Sequence, residues 1–522
     1  NFLALGGDYT KAIQVCSQVK KNGYEIKIQN IFRYPKIEEL QSRLRENKNV
    51  RSKEPVEGEI PFTPIQKWFF STVFTGKNHW NQSVAIFNRK GFKPETVEAA
   101  FKILVEHHDA LRMQFVEKDG AICQINRGIS EGIFDLNIIK SEDYKDMRSL
   151  EAKLTEFQEG MELEKGPLVR VVIVNTAKGD HLVIIIHHLI IDGVSWRIIL
   201  DDFSKAYSAI EENRPVQLDE KTDSFKIWAQ FLKEYSQDSV IKGETSYWQG
   251  VEAAEVQDLP VDFKRDHVKR MESCRYIEKK FDVDFTNMLW KETGKAYNTD
   301  TNELLLAAFC FALKKQFGLT SVSVKMEGHG RENLSENIDI THTVGWFTSA
   351  YPVNFKFSGN DKISQYIIGT KDTLRKVPNK GIGYGILKYL VPSEVSGLKC
   401  NFEPPVCFNY LGQFNYSTGQ GVFEISEIPT GNITSGKSEM SFTLAVNSVI
   451  KNEELYINLT YSTEDYKEET MQSFMETYEE TLRDFVRHCV LREGTELTSS
   501  DLTSDEITME DIEDIVNILD DI

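Results

Sequence analysis

Residues 179–191 read GDHLVIIIHHLII, an apolar, β-branched run of strand length that closes on two adjacent histidines and passes into Asp192 and Gly193. With GPLVRVVIVNT (166–176) just before it, the run demands a buried sheet, because two successive apolar segments bounded by turn signals have nowhere else to go. It is too short, and too interrupted by histidines, to span a bilayer. A strand end that feeds a glycine-containing loop can turn side chains toward a cleft, and imidazole is the side chain best poised to move protons near neutral pH. His188 is therefore a candidate base, with a structural strand-end histidine as the equal alternative on local grounds. Asp192 is placed to orient or charge-stabilise the loop. No third ligand at a recognisable spacing accompanies these residues, so no metal is expected.

The chain has 522 residues, more than one hydrophobic core usually serves, which suggests roughly three domains. A net charge of −19 argues against nucleic acid as the main partner. Seven cysteines without a CxxC pair suit a reducing, cytoplasmic compartment. Residues 1–47 form a small helical unit: TKAIQVCSQVKKNG has an apolar face of Ala12, Ile13, Val15 and Val19 and a stop at Gly23, and a second helical pattern follows Pro35. It opens abruptly before its first turn and reads as N-terminally incomplete. Residues 48–59 are a charged linker. Residues 60–240 and 241–495 each mix helices and strands, so two α/β lobes of similar size are expected. From 496 to 522 the character changes. Met509, Ile512, Val516, Leu519 and Ile522 line one face of a predicted helix, and from Asp501 onward there are nine acidic residues and no basic ones. So short a helix needs something to pack on, its own domain or a partner with a basic rim.

Further constellations sit in loops. KMEGHGREN (325–333) leaves a β-run at a glycine-rich turn where Glu327 could be a second acid/base group or a salt-bridge partner, and Arg331 could fix a carboxylate. His107 and His108, in EHHDALR, read as a packed helix end without a catalytic part.

Taken together, TPIQKWFF, HHLIIDGVSW, EGHGRE, HTVGWFTSAYPV, PNKGIGYG and FNYLGQF stand in the order and spacing of the epimerization domains of nonribosomal peptide synthetases, relatives of condensation domains. LGGDYTKAIQV with IFRYPKIEEL resembles the end of a peptidyl carrier domain, so the chain resembles a carrier–epimerization didomain over essentially its whole length. The resemblance implies a V-shaped, two-lobed α/β fold like chloramphenicol acetyltransferase, with the active site in a tunnel between the lobes. It implies L-to-D interconversion at the α-carbon of an aminoacyl or peptidyl thioester, carried on a 4′-phosphopantetheine arm and supplied by an upstream adenylation domain.

In that reading His188 and Glu327 are the two proton-transfer groups and Tyr410 a donor or relay. His187, Asp192, Gly193, Asn409 and Arg331 support them, Asp192 by holding its loop through an arginine. The acidic terminal helix resembles a docking segment that recruits the next synthetase. Two positions depart from the pattern. His342 stands where an arginine is usual, and Tyr9 stands where the carrier has its phosphopantetheinyl serine, so loading by the usual transferase is not expected. A condensation-type acyltransferase sharing the HHxxxDG motif is the alternative activity, and a non-catalytic carrier-docking scaffold a third reading.

Overall fold

The computed structural model describes residues 12, 15–16, 18–19, 22–26, 30–31, 34, 36–46, 56–72, 75–129, 132–264, 268–335, 337–357, 362–399, 402–414 and 423–501. Tyr9 and the acidic segment 502–522 lie outside these residues. In the N-terminal unit, Ala12, Cys16 and Ile31 are buried together in a cluster separate from the main core.

The first lobe begins with β1 (Gly58–Ile60), α1 (Pro64–Ser71), β2 (Asn81–Asn88), α2 (Pro94–His107), β3 (Met113–Lys118) and β4 (Ala121–Asn126). It continues with β5 (Asp135–Ile139), α3 (Met147–Glu159), β6 (Val169–Thr176), β7 (Gly179–His187), α4 (Gly193–Glu211) and α5 (Phe225–Tyr235). Strands β2, β7, β6 and β5 lie in that order in one sheet, while β1, β4 and β3 form a small second one. The apolar run is β7, and its lack of polar alternation has a direct cause. Leu182, Ile184 and Ile186 face the main core with α2 and α4, whereas Val183 and Ile185 face a second cluster closed by Leu150 and Leu154 of α3. A strand covered on both faces has no solvent side on which to place polar residues.

The second lobe contains α6 (Thr245–Ala253), β8 (Cys274–Phe281), α7 (Thr301–Phe317), β9 (Ser321–Gly328), β10 (Ser349–Lys356), α8 (Ile363–Arg375) and α9 (Ile382–Tyr389). Strands β11 (Val406–Phe414), β12 (Leu444–Lys451) and β13 (Glu454–Ser462) and the long helix α10 (Glu468–Leu491) complete it. Its sheet runs β8-β13-β12-β11-β9-β10. Helix α7 is nearly all apolar because it is buried at its centre. Asp300 caps its N-terminus by accepting from Glu303 N, and Gly318 ends it at φ 68°.

The two lobes are not simply consecutive. A short strand, Glu424–Ile425, leaves the second lobe and pairs with β2 at the edge of the first-lobe sheet. Its continuation stays there: Asn81 N donates to Ile433 O and Ser83 Oγ to Thr430 Oγ1. Backbone pairing across the division makes this crossover part of both lobes.

The last described turn is clasped to α8. Lys371, wholly buried, donates to Asp501 Oδ2 at 2.5 Å and to Tyr297 O at 2.7 Å, and Arg375 reaches Asp501 Oδ1 at 2.6 Å. Removing one partner of a buried pair leaves a charge that neither water nor protein satisfies. Asp501→Ala should therefore cost about 3 kcal/mol or more, read as a lowered Tm in thermal unfolding, while the surface change Glu476→Ala should leave Tm nearly unmoved.

Candidate active site

His188 opens a 3-10 turn directly after β7 and is only partly buried. Its Nδ1 lies 2.9 Å from Ile191 O, and since a carbonyl can only accept, Nδ1 carries the proton. Nε2 is then the basic lone pair. It sits 2.9 Å from Nε2 of Gln82 on β2, and the amide is oriented by Trp196, whose indole N–H donates to Gln82 Oε1 at 2.7 Å. Indole has no acceptor, so Trp196 forces the amide nitrogen, not the oxygen, toward the imidazole. The Trp346 ring packs on His188 with centroids 4.6 Å apart. Burial lowers the His188 pKa, partly offset by its backbone hydrogen bonds and by Asp192, so the ring is a neutral base at neutral pH.

The neighbouring His187 has a different office. It is fully buried, Nε2 donates to Lys77 O at 2.9 Å, and Nδ1 accepts from Leu189 N. Burial pushes its pKa down to about 3, so it holds the turn as a neutral group.

Asp192 caps α4. It accepts from Ser195 N and Ser195 Oγ at 2.7 Å, from Phe347 N at 3.0 Å, and from the Arg331 guanidinium at 3.2 and 3.3 Å. Arg331 also donates to Ile340 O and Thr343 O and lies 3.9 Å over the Phe347 ring. Its carboxylate partner is thus within the protein. Gly330, at φ 65°, lets this happen: a Cβ there would fall 1.6 Å from Phe347 O. Gly193, by contrast, is the first residue of α4 and a Cβ there would meet open space.

Glu327 stands near the end of β9, in the other lobe. Its Oε2 accepts from Asn409 Nδ2 at 2.8 Å, Asn409 lying on β11. The carboxyl group is reachable by solvent yet ringed by protein, and this enclosure raises its pKa, with Lys325 pulling the other way. Lys325 is two residues earlier on β9 and therefore on the same face. It is buried, 3.1 Å from Glu403 and 4.4 Å from the Trp68 ring centroid. Tyr410 follows Asn409 on β11, half-buried against the core, where a bulge between Tyr410 and Gln413 interrupts pairing with β12. Arg197 of α4 donates to Gln413 O at 2.9 Å, tying this bulge to the first lobe. A pocket opens beside Lys325, lined in part by Trp68, Phe347, Tyr384 and Glu403; neither His188 nor Glu327 lines it.

The structure thus joins Asp192 to Arg331, and Glu327 to Asn409, from widely separated motifs. It sets His107 and His108 apart from His188, His108 bonding Asp202 at 2.9 Å. Sequence reasoning missed Gln82 and Lys325. Lys325 was findable, since the period of two along a strand puts it beside Glu327. Gln82 had no signal, because its pairing with His188 across β2 and β7 depends on sheet register.

A family model described as "Condensation domain" matches residues 56–508. Tyrocidine synthase 2 of Brevibacillus parabrevis is 40% identical over 99% of this chain and 14% of its own length. Gramicidin S synthase 1 of Brevibacillus brevis is 37% identical over 99% of this chain and 48% of its own length. The chain thus spans between about a seventh and a half of these two relatives. Among solved structures, the epimerization domain from the third module of tyrocidine synthetase B is 39% identical with a TM-score of 0.82, covering 85% of this chain and 99% of that one. The condensation domain of the Monacolin K polyketide synthase MokA shares the fold at 16% identity, TM-score 0.68, over 84% of this chain and 98% of its own. No helix among the described residues is long and apolar enough to cross a membrane.

The Gln82 amide stabilises neutral His188, so replacing it with an acceptor reverses the preference. In Gln82→Glu, NMR titration of His188 should give a pKa at least one unit above the parent chain; an unchanged value would show that the contact carries no electrostatic weight.

Proposed function

The chain belongs to the condensation-domain family, and we propose that within it this protein interconverts L and D configurations at the α-carbon of an aminoacyl or peptidyl thioester in nonribosomal peptide synthesis. The observation that carries this reading is Glu327, an enclosed carboxyl group at a strand end, held by Asn409 and raised in pKa. A condensing activity has the His188 turn but no use for such a group. The likeness to a solved epimerization domain supports the same choice.

A thioester carbonyl makes the α-proton removable by spreading the resulting charge onto oxygen as an enolate. Inversion then needs one group to take the proton from one face and another to return it to the opposite face. His188 Nε2 and the Glu327 carboxyl are that pair, one arriving protonated and the other as base, with roles exchanged in the reverse direction. Their environments suit this, because burial lowers the imidazole and raises the carboxyl, bringing their proton affinities together. Tyr410 is the hydroxyl donor for the enolate oxygen or a proton relay, and Asn409 keeps the carboxyl group aimed. Asp192 and Arg331 hold the turn that presents His188.

The phosphopantetheine arm reaches the cleft as part of the substrate. Tyr9 does not fit its attachment, a phenol standing where the resembled carrier has serine. Either position 9 here departs from the serine of the natural carrier, or the thioester is presented from another carrier. The partners proposed are a carrier-bound thioester, an upstream adenylation domain, and a downstream synthetase met through the acidic segment after residue 501.

The test is to offer an L-aminoacyl-pantetheine thioester on an intact carrier in heavy water and follow α-deuterium and chirality. Exchange with racemisation is expected, and His188→Ala and Glu327→Gln should each slow equilibration at least 100-fold. Amide formation with an added acceptor would support condensation instead, and neither reaction would leave a docking scaffold. The kcat/KM–pH profile should be a bell narrower than the roughly two units separating ordinary glutamate and histidine, because one pKa is raised and the other lowered. Glu327→Gln should remove one limb of that bell.

A further inference from the structure

At the end of α2, away from the proton-transfer pair, His107 and His108 meet Asp202 of α4 so closely that one donor atom from each lies within 4.8 Å of the others. His108 Nε2 is 2.9 Å from Asp202 Oδ2, and both side chains are essentially buried. His342, from the loop between β9 and β10 in the second lobe, brings its Nε2 to 3.5 Å from the same oxygen. His107 Nε2 is buried without a hydrogen-bond partner among the described residues, and His342 Nε2 is held only by that 3.5 Å contact. Buried polar nitrogens are normally satisfied, so two without a hydrogen bond in one cluster around Asp202 call for an explanation.

We propose that these residues form a divalent transition-metal site, of the kind zinc occupies, that fastens the second-lobe loop to the first lobe. Three imidazoles and one carboxylate are a donor set that suits zinc. A tetrahedral centre with bonds of about 2.0–2.1 Å puts its donors roughly 3.3 Å apart, between the 2.9 Å and 3.5 Å contacts made to Asp202 Oδ2 here, and the donor atoms of His107, His108 and Asp202 all lie within 4.8 Å of one another. His107, His108 and Asp202 are the tight trio, and His342 completes the shell by turning inward from across the lobe boundary.

The surrounding charges allow a cation. Lys205 lies 3.6 Å from Asp202 Oδ1 but is matched by Asp201 at 2.5 Å and Asp219 at 3.4 Å, and Lys221 is matched by Asp109. The loop is already seated beside the site through Thr222–Thr343 and Asp223–Asp339 hydrogen bonds, so binding needs only local side-chain movement. Adjacent histidines at a helix end gave no sign of this in the sequence, because the third and fourth donors come from other elements.

The experiment uses the full chain, stripped with a chelator and titrated with Co²⁺ and Zn²⁺ by absorption spectroscopy and calorimetry. One equivalent should bind with the intense visible bands of four-coordinate cobalt, Zn²⁺ should displace it, and Zn²⁺ should raise Tm. His107→Gln and His342→Arg, the latter putting a guanidinium beside Asp202, should each weaken binding at least tenfold while circular dichroism shows the fold retained. Binding equal in the parent chain and in both variants, weak six-coordinate spectra, or no saturable binding would each overturn the site. If His342→Arg alone had no effect, the fastening between lobes would fall.

Discussion

Asp192 is a buried carboxylate that holds together three pieces of chain which share no sequence neighbourhood. It caps α4 through Ser195, takes the backbone N–H of Phe347, and is paired with Arg331, itself buried and bonded to two carbonyls of the 340–343 stretch. Burying either charge alone would cost several kcal/mol, and the pair is tolerable only because nearly every lone pair and proton between them is used. Such a pair adds less to net stability than it does to geometry. It locks the turn after β7 to the loop after β9, and with them His188 under Trp346. Ser195 reinforces the lock, its hydroxyl lying between Asp192, Gly345 and Arg331.

Around that lock the lobes exchange backbone as well as side chains. The Glu424–Ile425 strand closes the first-lobe sheet with second-lobe residues, and Arg197 reaches the bulge of β11 beside Tyr410. Acid/base groups carried on separate sheets keep a constant relation only if the sheets do. His188 belongs to one sheet and Glu327 with Asn409 to the other, so the proposed two-group site depends on the backbone pairing that joins the two lobes. The opposite drifts of their proton affinities come from the same enclosure: protein around an imidazole disfavours its cation, and protein around a carboxyl disfavours its anion.

The candidate site was half legible. HHLIIDGVSW announced a buried strand ending at a histidine, and EGHGRE announced a second glycine-rich strand end, because both depend on local periodicity and turn chemistry. The resemblance gave Asp192 an arginine partner without saying which; that it is Arg331, 139 residues away, came from the structure. Gln82, whose amide occupies the basic nitrogen, was invisible, since a one-residue change in the register of β2 and β7 would turn it to the other face. His107 and His108 read in the sequence as a simple helix end, because Asp202 and His342 come near them only through the tertiary fold.

The sequence alone determined that the run forming β7 lies in a buried sheet and which family the chain belongs to, because hydrophobic period and ordered motifs are one-dimensional properties. Only the tertiary structure decided the tautomer of His188, the partners of Arg331, the solvent-reachable but enclosed setting of Glu327 and the convergence of three histidines on one carboxylate. Each of these rests on distances between residues far apart in the chain, and hydrogen bonding, desolvation and coordination act through distance rather than through order along the sequence.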